Sequence, residues 1–130
     1  YIGILVLWTS NAECRAAGKS QGCSRTDSTE TAIRGKIDLA IAETNVAYSL
    51  SGVDAELLLV HAAHTNYNDS GDFADALYRL RDSNDGYMDE AHSLRSQYGA
   101  GKSTCISFIS IIFLSSTHLC CNNQILNPPQ

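Results

Sequence analysis

Within the first hundred positions, apolar residues fall into two tight runs and three spaced stripes, and each arrangement predicts a different element. Ile2 to Leu7 is a short apolar run ending in Trp8, the pattern of a strand buried on both faces. Asn11 to Ser28 is polar and contains glycine, which predicts a loop. A helix is expected to start near Asp27, with Glu30 three residues on completing a capping-box pattern. Ile33, Ile37, Ala40, Ile41, Thr44 and Tyr48 then recur at helical spacing on one core-facing stripe, and Gly52 supplies the stop. Gly35 inside this helix costs about 1 kcal/mol relative to Ala, which a long stripe absorbs.

Glu56 to Ala62 carries the run Leu57-Leu58-Leu59-Val60 and predicts a second buried strand. Strand, long helix, strand is a βαβ unit, so Ile2–Leu7 and Glu56–Ala62 are expected as parallel neighbours with the helix packed across them. After the polar loop Asn66 to Asp72, a short helix opened by Asp69, Ser70 or Asp72 carries Phe73, Leu77 and Leu80. Ser83-Asn84-Asp85-Gly86 breaks the chain, and Tyr87, Ala91, Leu94 and Tyr98 stripe a third helix ending at Gly99. There is no internal repeat. The predicted class is α/β: a βαβ unit followed by two helices, with an incomplete sheet.

Charge divides the chain a second way. Residues 1–100 hold 22 of the 23 charged side chains and residues 103–130 hold none. A third strand is expected just after Gly99, but the segment 101–130 shows no sustained helical or strand period. Loss of that strand would leave one flank of the first strand unpaired, a place that the strand-like run Cys105 to Leu114 could fill, though its Ser107 and Ser110 make it a poor substitute. Residues 1–100 are therefore read as one unit and residues 101–130 as a separate apolar and polar tail. Only 11 of the 17 residues from Cys105 to Cys121 are apolar, and His118 sits among them. That falls short of the roughly 20 needed to span a bilayer.

Several motifs suggest chemistry and fail on context. Ser96 to Thr104 resembles a phosphate-binding loop, yet Ser96 stands where the first glycine is required and the segment follows an amphipathic helix instead of a strand. Asp89-Glu90-Ala91-His92 spells a helicase acidic box in the wrong place. His61 and His64 are the one close histidine pair, but on a strand residues three apart face opposite ways. Asp82, Asp85, Asp89 and Glu90 lack the alternating ligands of a calcium loop and read as a solvated acidic face. No His-Glu-x-x-His occurs, so no catalytic or metal-binding residue is assigned.

At 130 residues with a net charge of −5, the chain has room for one small domain and lacks the basic stripe a nucleic acid requires. Five cysteines leave at least one without an intramolecular partner. Cys14 and Cys23 are close enough to staple their loop in an oxidising compartment, and Asn68-Asp69-Ser70 is an N-glycosylation sequon. Both fit a secreted protein. The chain starts at Tyr1 with its single Met at position 88, so any signal peptide is expected upstream.

The stretch Ile37 to Asn45, continuing through Tyr48, Ser51-Gly52-Val53 and Leu57 to His61, resembles reprolysin-like zinc metallopeptidases of the metzincin clan. So do Leu77 to Asp82, Asp85 to His92, and Tyr98-Gly99-Ala100. The opening Val6-Leu7-Trp8-Thr9 and the insertion bearing Cys14 and Cys23 also resemble some members. The resemblance covers residues 2–100 and implies the first half of a three-layer metzincin-like fold. In the family a third strand, an antiparallel edge strand that holds peptide, and a zinc-binding helix follow. Three histidines hold the zinc and a glutamate acts as general base. All of those residues would lie beyond Ala100, and none can be placed here.

The resemblance thus implies a fragment of a secreted zinc metalloendopeptidase acting on protein substrates, inactive alone. The alternative is a non-catalytic interaction module that binds a protein partner or, as the less favoured form, sits at a membrane through its apolar tail. Family members usually place Asp after Tyr-Gly-Ala. An exon ending on the first base of that codon, read into an intron opening GTAAGT, would translate as Gly-Lys-Ser. Gly101-Lys102-Ser103 matches, so residues 101–130 are read as a translated retained intron or a gene-model error of that kind, against a divergent natural C-terminus.

Overall fold

The computed structural model describes residues 1–68, 72–106 and 111–115. In chain order it contains β1 (Ile2–Trp8), α1 (Ser10–Ala16), α2 (Asp27–Leu50), β2 (Leu57–His64), α3 (Phe73–Arg81), α4 (Glu90–Tyr98), β3 (Lys102–Ile106) and β4 (Ile111–Ser115). The sheet runs β2-β1-β3-β4 and stays open. β1 is parallel to β2 and to β3, and β4 is antiparallel to β3. This is the expected mixed α/β class, with two parallel strands joined through a long helix and helices following them.

β1 is apolar throughout because both of its faces are covered. Ile4, Val6 and Trp8 pack with Ile33 and Ile37 of α2 and with Ala62 of β2. Alternation sends Leu5 and Leu7 to the other face. There Leu7 meets Tyr67, Ala76 and Leu80 of the α3 side with Met88 and Ala91 of the α4 side. The result is three layers with β1 at the centre.

β2 runs beside β1 from Ile2↔Leu57 to Trp8↔His64, and its register shifts between Ile4 and Leu5, where Val60 is left over as a bulge. Its outer side is capped by α2. The Asn45 amide donates to the Leu57 carbonyl at 3.0 Å, and its oxygen accepts the Leu57 N–H at 2.7 Å. Gly3 marks a close approach: a Cβ there would stand 3.1 Å from Val60 Cγ1 and 3.5 Å from the Gly99 carbonyl.

Four local expectations are corrected. The polar stretch after Asn11 contains α1, whose first turn is capped by the Thr9 hydroxyl accepting from the Ala12 N–H. A seven-residue helix is marginal alone and shows no apolar stripe, so only its tertiary anchors reveal it. The capping box of α2 uses Thr26 and Thr29, while Glu30 pairs with Arg34 one turn on. α4 begins at Glu90, and Tyr87 lies outside it because Asn84 and Met88 adopt left-handed backbone (φ 61° and 51°).

The fourth correction concerns the tail. β3 follows the left-handed turn at Gly99 (φ 64°) and pairs with β1 from Ile4↔Lys102 to Trp8↔Ile106, and β4 pairs with β3. The third strand expected just after Gly99 is thus present, and the flank that its loss would have left unpaired is occupied. A central strand presents backbone N–H and C=O groups that must be satisfied, and a short extended segment emerging from α4 meets that need without a sequence period of its own.

Candidate functional site at the carboxyl ends of β1 and β2

In open α/β sheets, ligands gather where connections leave in opposite directions at the carboxyl ends of the strands. Here the chain leaves β1 toward β2 and returns on the other side at β3, so the end of β1 is that point. The side chains there are Trp8, Thr9, Ser10, Glu13 and His64.

Glu13 is fully buried on α1. Its carboxylate accepts from Trp8 Nε1 at 2.8 Å, from Arg25 Nε at 2.8 Å, and from the Thr29 hydroxyl. Burial alone would raise the pKa of this group. The hydrogen bonds from Thr29, Arg25 and Trp8, with the Arg25 charge, outweigh burial and hold it below its ordinary value. Arg25, about a third exposed, arrives from the loop after α1. That loop is tied to α1 by the Cys14–Cys23 disulfide, whose Cα atoms are 5.8 Å apart.

Ser10 Oγ lies 2.8 Å from His64 Nε2. Burial, and then the Arg25 charge, lower the His64 pKa, while Glu13, Glu30 and Glu90 pull the other way at a distance. A neutral imidazole can take the serine proton. The acid that acts on it most strongly, Glu13, is already committed to three donors. The pair therefore joins α1 to β2 and forms no triad with Glu13.

The remaining chemistry-bearing residues do not converge. His61 stacks on Tyr98 with ring centroids 4.0 Å apart, and His92 Nε2 lies 3.2 Å from the Asp82 carbonyl. His61 and His64 leave opposite faces of the sheet, as their spacing predicts. Among the described residues, no three His, Cys, Asp or Glu side chains could hold a metal ion. The acidic loop is paired: Arg81 with Asp82, Arg79 with Asp85, while Asp89 accepts the backbone N–H groups of Asp85 and Gly86. Ser96 to Thr104 runs helix, turn, strand, the reverse of a phosphate-binding loop's order. Asn68 is exposed beyond β2, while the other sequon residues, Asp69 and Ser70, lie outside the described residues. His118 and the cysteines at 120 and 121 also lie outside them. Among the described residues, no helix is long and apolar enough to cross a membrane.

Sequence reasoning missed Glu13 and the Ser10–His64 contact. Each joins residues whose spacing follows no single period: 5, 12 and 16 positions for Glu13, and 54 for Ser10. A usable signal was Thr9, a good helix cap directly after a strand.

The chain is similar to metalloendopeptidases. Over 84 residues, 65% of this chain, it is 36% identical to the peptidyl-Asp metalloendopeptidase of Xanthomonas campestris pv. campestris and 33% identical to that of one Stenotrophomonas maltophilia strain. A second strain's protein of the same name is 42% identical over 64 residues, 49% of this chain. These matches span 18%, 18% and 15% of the respective relatives, less than a fifth of their length. No protein-family model and no solved structure matches the chain.

Proposed function

We propose that residues 1–100 are the amino-terminal part of the catalytic domain of a secreted, reprolysin-like zinc metalloendopeptidase, and that the chain alone is inactive. The observation that carries this reading is the 36% identity over 84 residues to a metalloendopeptidase, combined with a parallel β1–β2 pair joined through α2. The relatives are peptidyl-Asp metalloendopeptidases, which makes peptidyl-Asp bonds in proteins the expected target of the parent enzyme. The described residues do not fit a zinc site: His61 stacks on Tyr98, His64 engages Ser10, and His92 meets a backbone carbonyl. No step of hydrolysis is assigned to this chain. Residues 101–130 are proposed as the translated intron inferred above, with the pairing of β3 and β4 a property of backbone geometry.

The test has two arms. The purified 130-residue chain should bind no stoichiometric zinc and cleave no casein, and chelator-sensitive proteolysis by it would refute inactivity. A chimera of residues 1–100 followed by the remainder of the Xanthomonas relative should recover chelator-sensitive cleavage. A folded chimera that never cleaves would refute the peptidase origin of residues 1–100. Sequencing the transcript past the Ala100 codon checks the tail directly.

A further inference from the structure

The loop after α1 is held by two attachments that meet at one place. Cys14 is fully buried in α1 and bonded to the half-buried Cys23 across nine positions. Two residues beyond Cys23, Arg25 reaches the carboxylate of Glu13, the residue next to Cys14. Between these attachments the side chains of Lys19 to Gln21 are exposed, and backbone bonds follow the turn: Gly18 N–H donates to the Arg15 carbonyl at 3.0 Å, Lys19 N–H to the Cys14 carbonyl at 2.9 Å, and Gly22 N–H to Asn11 at 3.3 Å. On its inner side the same carboxylate holds the indole N–H of Trp8 and the Thr29 hydroxyl in the first turn of α2.

We propose that the Cys14–Cys23 bridge and the Arg25–Glu13 ion pair form one redox-sensitive latch. Reduction by a dithiol frees the loop, withdraws Arg25 from the buried Glu13 carboxylate, and loosens Trp8 and the start of α2. A thiolate of the reductant attacks the Cys23 sulfur, the S–S bond breaks, and Cys14 leaves as a thiolate and takes up a proton. The second thiol of the reductant then displaces Cys23, which also ends protonated. Two electrons and two protons enter the protein, and the reductant closes to its own disulfide. Once the tether is cut, Arg25 is anchored only on the side of the α2 cap at Thr26, and the entropy of ordering it from the freed side opposes the pair. Linkage makes the effect reciprocal: the ion pair must favour the oxidised form as much as the bridge favours the ion pair.

Trp8 is the sole tryptophan and 1% exposed, so its fluorescence reports the latch from inside. The full chain is equilibrated in graded ratios of reduced and oxidised dithiothreitol. Cys14 and Cys23 thiols are counted by alkylation and mass spectrometry, and acrylamide quenching of Trp8 is read on the same samples. The two curves are expected to share a midpoint, with quenching several-fold higher in the reduced form. Arg25→Ala should shift the dithiol equilibrium toward thiols by about ten-fold, inside the 5–150-fold range of typical coupling. Arg34→Ala removes the guanidinium 5.0 Å over the Trp8 ring without touching the loop, and should leave the midpoint in place. A flat Trp8 signal, an unmoved midpoint in Arg25→Ala, or an equal shift in Arg34→Ala would overturn the latch. Should Arg25→Ala not fold, Cys14→Ser with Cys23→Ser replaces it. Quenching equal to the reduced protein supports the proposal, and quenching equal to the oxidised protein refutes it.

Discussion

The two faces of β1 are held by different physics. On the α2 face, apolar contacts among Ile4, Val6, Trp8, Ile33 and Ile37 end at a buried carboxylate, a disulfide and the Ser10–His64 bond. On the α3 and α4 face, Leu7, Leu80, Met88 and Ala91 pack without a buried charge, and the ion pairs of Arg79 and Arg81 stand at the solvent-facing margin. Apolar contact is non-directional and indifferent to pH, whereas a buried carboxylate requires each donor in its place and one protonation state. The α2 face should therefore be the one that chemical conditions loosen.

Single truncations make the largest test. Leu80→Ala should cost about 2–5 kcal/mol, because it opens a cavity in the apolar cluster of the α3 and α4 face. Glu13→Ala should cost on the order of 2–4 kcal/mol, because the Trp8 indole is left buried without its acceptor and Arg25 without its carboxylate, while the Thr29 hydroxyl keeps the Thr26 carbonyl 2.9 Å away. Urea unfolding followed by circular dichroism measures both. A loss of only a few tenths of a kcal/mol for Glu13→Ala would show that water replaces the carboxylate and that the contrast between the faces is unreal.

Acid sharpens the same contrast. The folded pKa of His64 is lowered, so the fold favours the neutral ring. Its contribution is complete above the ordinary value of 6.5 and is lost as pH falls below it toward the folded value. Glu13 is also lowered, so its contribution is complete above 4.5 and is lost as pH falls further. Stability should thus decline in two acid steps, both seen by Trp8. His64→Gln should flatten the upper step and Glu13→Gln the lower one. Identical pH profiles in the parent protein and both variants would place the acid response elsewhere.

The smallest effect belongs to the margin of the other face. Arg81 bonds Asp82 through Nε at 2.7 Å, and this lowers the Asp82 pKa, but both side chains are solvated. Arg81→Ala should leave the urea midpoint unresolved from the parent at 0.15 M salt, since exposed pairs are screened and their side chains resist ordering. A clear drop in midpoint would mean that the acidic loop carries structure that its exposure hides.

Much of this was legible in one dimension. The apolar run at Ile2–Trp8 and the stripe through Ile33 and Ile37 announce a two-sided central strand and the helix across it, because periodicity and burial are the same information. The stops at Gly52 and Gly99 are legible for the same local reason: both adopt positive φ, which glycine tolerates and other residues avoid. The spacing of Cys14 and Cys23 shows that a bridge is feasible, and that His61 and His64 face apart follows from the strand itself.

Tertiary structure decided the rest. The long helix starts at Asp27 as expected, but Thr26 and Thr29 rather than Asp27 and Glu30 hold the capping box, because a cap is settled by which hydroxyl reaches which N–H. α1 has no apolar period, and it exists because Glu13 finds Trp8, Arg25 and Thr29 from three different segments. β3 shows the same limit in backbone terms. Its pairing with β1 depends on the unmet N–H and C=O groups of a neighbouring strand, and no residue within Lys102–Ile106 records that demand. Elements whose stabilising partners are near in sequence can be read from it, while those whose partners are distant appear only once the chain has folded.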